Sequence, residues 1–132
     1  MLARFSRFTV SALLVIPLLC GAGCNKSSAT ADDVISPEAK KEAEELFSTR
    51  CMTCHGPQGH GDGPASAGLT PKPRNFSDKS WQASVTNAHI ENIIQSGGLA
   101  VGKSAAMPPN PDLVDKPAVV KALRMHVREL GR

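Results

Sequence analysis

Three segments of the chain place apolar residues at helical spacing, and the first is marked by residues that start helices. Ser36 is a good N-cap, Pro37 suits the first helical position, and Glu38 places an acid in the first turn. The apolar residues that follow recur every three or four positions and form one stripe: Ala39, Ala43, Leu46 and Phe47. The pattern predicts an amphipathic helix that buries one face.

Two more helices are predicted in the second half of the chain. One begins after Thr86 and ends at Gly97-Gly98, and the other begins at Pro117 and runs towards the C-terminus. Their apolar positions are Ile90, Ile93 and Ile94 in the first, and Val119, Val120, Leu123, Val127 and Leu130 in the second. No segment has the alternation of a strand, so the fold class predicted is all-α.

The segments between these helices are long and rich in residues that break regular structure. Nine of the twenty residues from 56 to 75 are glycine or proline, and a second loop contains Met107 followed by Pro108 and Pro109. Structureless loops of this length are unusual in a compact domain unless they have a function or surround something.

The N-terminus has the pattern of an export signal. Arg4 and Arg7 precede an apolar run of about ten residues, which is half the length of a membrane-spanning helix. The run is followed by Gly21-Ala-Gly-Cys24, which resembles a bacterial lipobox except that Gly21 stands where leucine is usual. We therefore expect a signal peptide over residues 1–23, lipid on Cys24, a flexible tether over 24–35 and one domain over 36–132. Ordinary cleavage after Ala31 is the alternative.

Composition narrows the function. The chain has 15 basic and 12 acidic residues, and without the two arginines of the signal the balance is close to neutral, which argues against nucleic-acid binding. Outside the N-terminal segment the aromatic residues are Phe47, Phe76 and Trp81. So small a domain with so few aromatic side chains needs something else to complete its core, such as a metal, a disulfide or another group.

The motif Cys51-Met-Thr-Cys54-His55 suggests what that group is. C-x-x-C-H is the attachment signature of c-type haem, because the two thiols can add to the porphyrin vinyl groups while the next residue offers an imidazole to the iron. A zinc site, a thioredoxin-like redox pair and a structural disulfide are the alternatives. Each is less consistent with the spacing of the other ligands or with the histidine.

These residues together resemble a class I c-type cytochrome of the bacterial mono-haem branch, over Ser36 to Arg132. The resemblance rests on Phe47 before the motif, the Gly-rich loop, Met107-Pro-Pro and the apolar C-terminal helix. It implies N- and C-terminal helices that cross beside one covalently bound haem c. It also implies an aromatic residue on the last helix against Phe47; this sequence has His126 there, which we expect to pack on Phe47 with its polar edge in water.

The resemblance implies His55 and Met107 as the axial iron ligands. Of the other exported methionines, Met52 lies within the attachment motif and Met125 on the last helix. A second histidine as ligand is the remaining alternative, although His60 and His89 are predicted to be exposed.

Other site assignments also follow from the resemblance. A proline carbonyl, of Pro71 or Pro73, is expected to accept the hydrogen bond of the proximal imidazole. Trp81, with Asn75, could contact a haem propionate, or Trp81 could instead fill the core.

The function that the resemblance implies is one-electron transfer in the periplasm or at a membrane surface, with no catalytic residues and no small-molecule substrate. Redox proteins that dock transiently are the expected partners, and local basic positions at Lys72, Arg74, Lys79 and Lys103 are candidates for steering them. The alternatives are a haem-binding subunit of a larger oxidase or reductase, and a peroxidase or gas sensor with a labile sixth ligand.

Overall fold

A computed structural model describes residues 34–132, and this part of the chain is helical and contains no strand. Its α-helices are α1 (Pro37–Leu46), α2 (Met52–His55), α3 (Lys79–Ser84), α4 (Asn87–Ala100) and α5 (Pro117–Glu129). None of the helices in this range has the length and apolar character needed to cross a membrane. The signal peptide, Cys24 and most of the tether lie outside the described residues.

The first helix begins where the sequence predicts. The Ser36 side chain accepts a hydrogen bond from the Ala39 backbone N–H at 3.2 Å, which satisfies one of the free donors of the first turn. A π-helical turn, Phe47–Cys51, continues α1 directly into α2. One nearly continuous helical segment therefore leads from the core to the two cysteines.

The core forms where α1 packs against α5, as the apolar stripes predict. Ala43 of α1, Phe47 at the start of the π-helical turn and Leu123 of α5 are each less than 5% exposed. The buried apolar residues are Ile35, Ala39, Ala43, Phe47, Phe76, Ile90, Leu113, Val119, Val120, Ala122, Leu123 and Val127. Ile35, which the sequence placed in the tether, belongs to this core, so the folded domain begins before Ser36.

Two arginines of α5 form hydrogen bonds with α4 and with the end of α3. Arg124 is buried and its Nε donates to Glu91 Oε1 of α4 at 2.9 Å. Arg128 donates to the carbonyl oxygens of Gln82 and Val85, both at 2.7 Å, at the end of α3. These bonds fix the last helix against α3 and α4.

The prediction of only three helices was wrong, because the sequence reading missed α2 and α3. In α3 the Asp78 carboxylate caps the helix by accepting from the backbone N–H groups of Ser80 and Trp81. The hydrogen bond from the Ser80 hydroxyl, together with these backbone N–H groups, holds the pKa of the Asp78 carboxyl below its usual range. Asp78 is a good N-cap residue and could have indicated the start of α3 in the sequence. The helix spans only Lys79–Ser84, however, which is too short for an apolar stripe to be recognised.

His126 packs on Phe47 as expected, with ring centroids 4.2 Å apart in an edge-to-face arrangement. The expectation that its polar edge stays in water was wrong. The Nε2 atom is buried and has no hydrogen-bond partner among the described residues. Beside it, a cavity of about 260 Å³ is lined by Lys40, Ala43, Glu44, Ala122, Met125, His126 and Glu129.

A buried ring nitrogen without a partner destabilises the folded state, since it loses its hydrogen bond to water. His126→Phe keeps a ring against Phe47 and removes that nitrogen, so we expect it to raise the free energy of unfolding by about 1 kcal/mol. Guanidinium unfolding of the holoprotein measures this change. His60→Phe, at an exposed position, is the control and should have little effect. A loss of stability in His126→Phe would contradict this account of the crossing.

Candidate functional site

The two cysteines and the histidine of the motif lie on one short helical segment. Cys51 ends the π-helical turn, while Cys54 and His55 lie in α2, and all three side chains are partly buried. Neither thiol forms a disulfide. Burial raises the pKa of the Cys51 thiol to about 11, an effect that the nearby Arg50 partly opposes. Both cysteines therefore offer a free thiol, and the two thiols lie one helical turn apart, with the His55 imidazole directly after the second.

The His55 ring is oriented by a backbone carbonyl. Its Nδ1 lies 3.1 Å from the carbonyl oxygen of Arg74, which leaves Nε2 as the nitrogen that can bind a metal. The expectation that Pro71 or Pro73 supplies this carbonyl is corrected by the structure, which places the Arg74 carbonyl there. Burial lowers the pKa of His55, and the bond to Arg74 opposes that shift.

An aromatic stack supports the other side of the histidine. Phe76 stacks on the His55 ring at 4.4 Å between centroids, and Trp81 stacks on Phe76 at 5.7 Å. The Arg74 guanidinium lies 5.7 Å from the centre of the Trp81 ring. Trp81 thus packs with Phe76 behind the histidine and against the core, while its contact with a haem propionate stays a prediction. Asn75 accepts from the N–H and hydroxyl of Ser77 and stabilises the local turn.

The Gly-rich loop packs directly on the backbone of α2. The N–H of Gly61 donates to the His55 carbonyl at 2.8 Å, and the N–H of Gly63 donates to the Cys54 carbonyl at 3.1 Å. A Cβ atom on Gly63 would overlap the carbonyl oxygens of Met52 and Thr53. Glycine is required there because a side chain would push the loop away from the C-terminal end of the motif.

Met107 is half-buried in residues 101–110, which we call the distal loop. Its carbonyl accepts from the Gly98 N–H at 2.9 Å, and its own N–H donates to the Ser104 carbonyl at 3.3 Å. At Gly97 the backbone of α4 leaves the helical conformation with φ of +75°. The thioether therefore lies on a loop that is hydrogen-bonded to the kinked end of α4.

The end of the distal loop is fixed by Asn110. Its Nδ2 donates to the Ile94 carbonyl at 2.7 Å, and its backbone N–H donates to the Gln95 carbonyl at 2.9 Å. These two carbonyls lie at the end of the regular part of α4, where they have no partner within the helix. Asn110 caps α4 and at the same time holds the segment that follows Met107.

One side chain joins the distal loop to the segment that carries the motif. Arg50 Nη1 donates to Asn110 Oδ1 at 3.2 Å and to Asp112 Oδ1 at 3.0 Å. The hydrogen bond from Arg50 holds the pKa of the Asp112 carboxyl below its usual range. Sequence reasoning missed Arg50, Asn110 and Asp112, and no motif signals a contact across about sixty residues.

The remaining candidates contribute little to the site. His60 is exposed, whereas His89 is partly buried and not exposed as expected. Met52 and Met125 are both packed against the core. A zinc site would need about four clustered ligands, and the described residues contain no group of three or more His, Cys, Asp or Glu that could hold a metal ion.

The chemistry of the site fits a covalently bound haem. Cys51 and Cys54 would form the thioether bonds, and the His55 imidazole presents Nε2 as an iron ligand because Arg74 occupies its Nδ1 side. Among the methionines of residues 34–132, Met107 lies neither within the motif nor on α5, and it would supply a thioether from the distal loop.

Comparison with known proteins agrees with this chemistry. A family model described as Cytochrome c matches residues 41–123. The match includes the attachment motif, the Gly-rich loop and the distal loop, and it ends within α5. No curated protein matches the chain.

Proposed function

Because this chain belongs to the cytochrome c family, in which haem c is bound covalently, we propose that it is a one-electron carrier with His55 and Met107 as iron ligands. The observation that carries the proposal is the Arg50–Asn110 hydrogen bond, which joins the segment of His55 to the loop of Met107. When bound, haem c supplies a one-electron Fe(II)/Fe(III) couple. Two protein ligands leave no open iron position, and methionine ligation raises the potential.

The residues around the site would limit rearrangement during electron transfer. The Arg74 carbonyl and the Phe76 ring hold the His55 imidazole in one orientation, and the Gly98 N–H holds the backbone of Met107. Rigid ligands suit a carrier, since the geometry then changes little between the two oxidation states.

Carbon monoxide distinguishes this function from a peroxidase or gas sensor. A ferrous carrier with both ligands in place should bind carbon monoxide only slowly, because Met107 must first leave the iron, whereas a protein with a labile sixth ligand should bind it rapidly. The measurement is the absorption spectrum of the reduced holoprotein under carbon monoxide. Rapid, complete binding at neutral pH would contradict the carrier proposal.

The partners of such a carrier are proposed to be redox proteins that dock weakly and briefly. Three of the four basic candidates already have intramolecular partners. Lys72 Nζ donates to the Ser66 and Ala67 carbonyls, and Lys79 Nζ donates to the Gly131 carbonyl. The Arg74 guanidinium lies 3.8 Å from the Asp78 carboxylate. These bonds argue against a concentrated basic docking face.

An exposed apolar surface lies beside the distal loop instead. Leu99, at the end of α4, is 72% exposed, and Ala105, Ala106 and Pro108 of the distal loop that follows are also exposed. We propose that partners contact this surface, near the loop that carries Met107, through small apolar interfaces typical of redox encounters.

The docking proposal predicts a weak dependence on ionic strength. Reduction of the protein by washed membranes of its own organism should change less than about threefold between low and high salt, because net charge is small. Leu99→Asp should slow that reduction severalfold. Val114→Asp is the matched control, since Val114 is an apolar residue that is 62% exposed outside this surface. A steep fall with salt, or equal effects of the two variants, would contradict the proposal.

Cytochrome c domains are typically exported, and we propose that this one is held at a membrane in the periplasm by lipid on Cys24. Two or more acyl chains anchor a protein stably, whereas one does so only marginally. Cys24→Ser should therefore move the protein from the membrane fraction to the soluble fraction, or leave its signal uncleaved. Wild-type protein that is soluble and begins at Asp32 would show that ordinary cleavage occurs instead.

A further inference from the structure

Arg50 connects two segments that lie far apart in the sequence. It directly precedes Cys51, and its Nη1 donates to side chains 60 and 62 residues further along the chain. Both acceptors, Asn110 and Asp112, follow closely after Met107. The guanidinium thus joins the segment that carries the thiols and His55 to the end of the distal loop.

The distal loop is held at two points, one at Met107 and one three residues later. The Gly98 N–H donates to the Met107 carbonyl, and Asn110 donates to the carbonyls of Ile94 and Gln95. Both points belong to the end of α4. Arg50 donates to Asn110, so the C-terminal end of the distal loop is hydrogen-bonded to the segment of the motif as well as to α4.

We propose that Arg50 is a positioning residue that keeps the distal loop closed against the motif and thereby sets how readily Met107 leaves the iron. The proposal rests on the proposed ligation by Met107. An exposed ion pair adds little to global stability. Local opening of a loop costs far less than global unfolding, so the same interaction has a larger relative effect on it.

A second ion pair in the same protein provides a matched control. Lys116 Nζ contacts Glu42 Oε1 at 2.6 Å and is also a long-range surface contact, between α1 and the residue before α5. Its side chains are 46% and 39% exposed, against 45% and 47% for Arg50 and Asp112. Lys116→Gln removes a comparable pair that lies near Asp112 but, within the described part of the chain, forms no hydrogen bond with the distal loop, so it tests whether charge near Asp112, without a bond to the loop, is enough.

The experiment compares Arg50→Gln, Asp112→Asn and Lys116→Gln as holoproteins. The first readout is the rate at which carbon monoxide binds to the ferrous form, since binding requires Met107 to leave. The second is the temperature at which the weak far-red thioether-to-iron band of the ferric protein is lost, relative to global unfolding followed by circular dichroism.

We expect Arg50→Gln to raise the carbon monoxide rate about fivefold and to lower the temperature of band loss, with global unfolding nearly unchanged. Asp112→Asn should have a smaller effect, because Asn110 still accepts from Arg50. Lys116→Gln should change neither readout. If the wild-type protein has the band but Arg50→Gln and Lys116→Gln change it equally, the proposed role of Arg50 is wrong, while ligation by Met107 still stands. A wild-type protein without the band overturns Met107 ligation and, with it, the role of Arg50.

Discussion

Met107→Ala is expected to abolish the far-red thioether-to-iron band, lower the reduction potential and let the ferrous protein bind carbon monoxide. Alanine has no ligand atom, so the sixth iron position becomes open to water or gas. The potential should fall by on the order of 0.1 V or more, because axial ligands tune haem potentials over about 0.8 V. The haem should stay attached, since Cys51 and Cys54 are unchanged.

Two further variants complete this test. Met107→His should keep a sixth ligand but lower the potential, because imidazole favours the ferric iron more than a thioether does. Met125→Ala is the control, because Met125, on α5, packs against the core and lines the cavity beside His126. If the band survives Met107→Ala, or disappears in Met125→Ala, the ligand is not Met107 and the peroxidase or sensor alternative gains support.

Gly97→Ala is expected to cause the second large effect, the displacement of the distal loop. Gly97 has φ of +75°, and a Cβ atom there would lie 2.7 Å from the Pro109 nitrogen and 2.9 Å from the Met107 carbonyl oxygen. The backbone at Gly97 combines a positive φ with an extended ψ of 174°, a conformation almost confined to glycine, which costs alanine about 1–3 kcal/mol, and the overlap adds about 1–3 kcal/mol. We expect the free energy of unfolding to fall by several kcal/mol and the far-red band to weaken.

A matched substitution at Gly102, in the distal loop, separates the cost of the backbone conformation from the cost of steric overlap. Its φ is +70°, but a Cβ atom there would have no neighbour within 4 Å. Gly102→Ala should therefore show only the backbone cost of about 1–2 kcal/mol and leave the band intact. Denaturant unfolding and the ferric spectrum of the two holoproteins measure both effects. If the free energy of unfolding and the band decrease equally in the two variants, close packing of Gly97 against the loop of Met107 does not contribute to either.

Local sequence signals determined the long helices and the attachment motif. Ser36 and Thr86 cap the helices that they were predicted to start, and the stripes on α1 and α5 form the core. Capping and helical spacing act over a few residues, so the sequence carries them directly. The spacing of Cys51, Cys54 and His55 is local in the same way, and it was enough to indicate covalent haem, which agrees with the family match over residues 41–123.

The tertiary structure alone decided which distant groups meet. The carbonyl of Arg74, and not that of Pro71 or Pro73, orients His55, because the path of a loop without regular structure determines which backbone oxygen reaches the ring. The partners of Lys72 and Lys79 are backbone carbonyls, which every residue carries and no sequence pattern marks.

Two further features could not be predicted from the sequence: the burial of His126 Nε2 and the contact of Arg50 with Asn110. The first depends on how closely α1 and α5 cross, and the second on how the distal loop folds back towards the motif. Both result from packing among residues dozens of positions apart. The sequence by itself determined the helices and the chemistry of attachment, while only the tertiary fold decided how the groups around that chemistry are held, because those contacts depend on long-range packing.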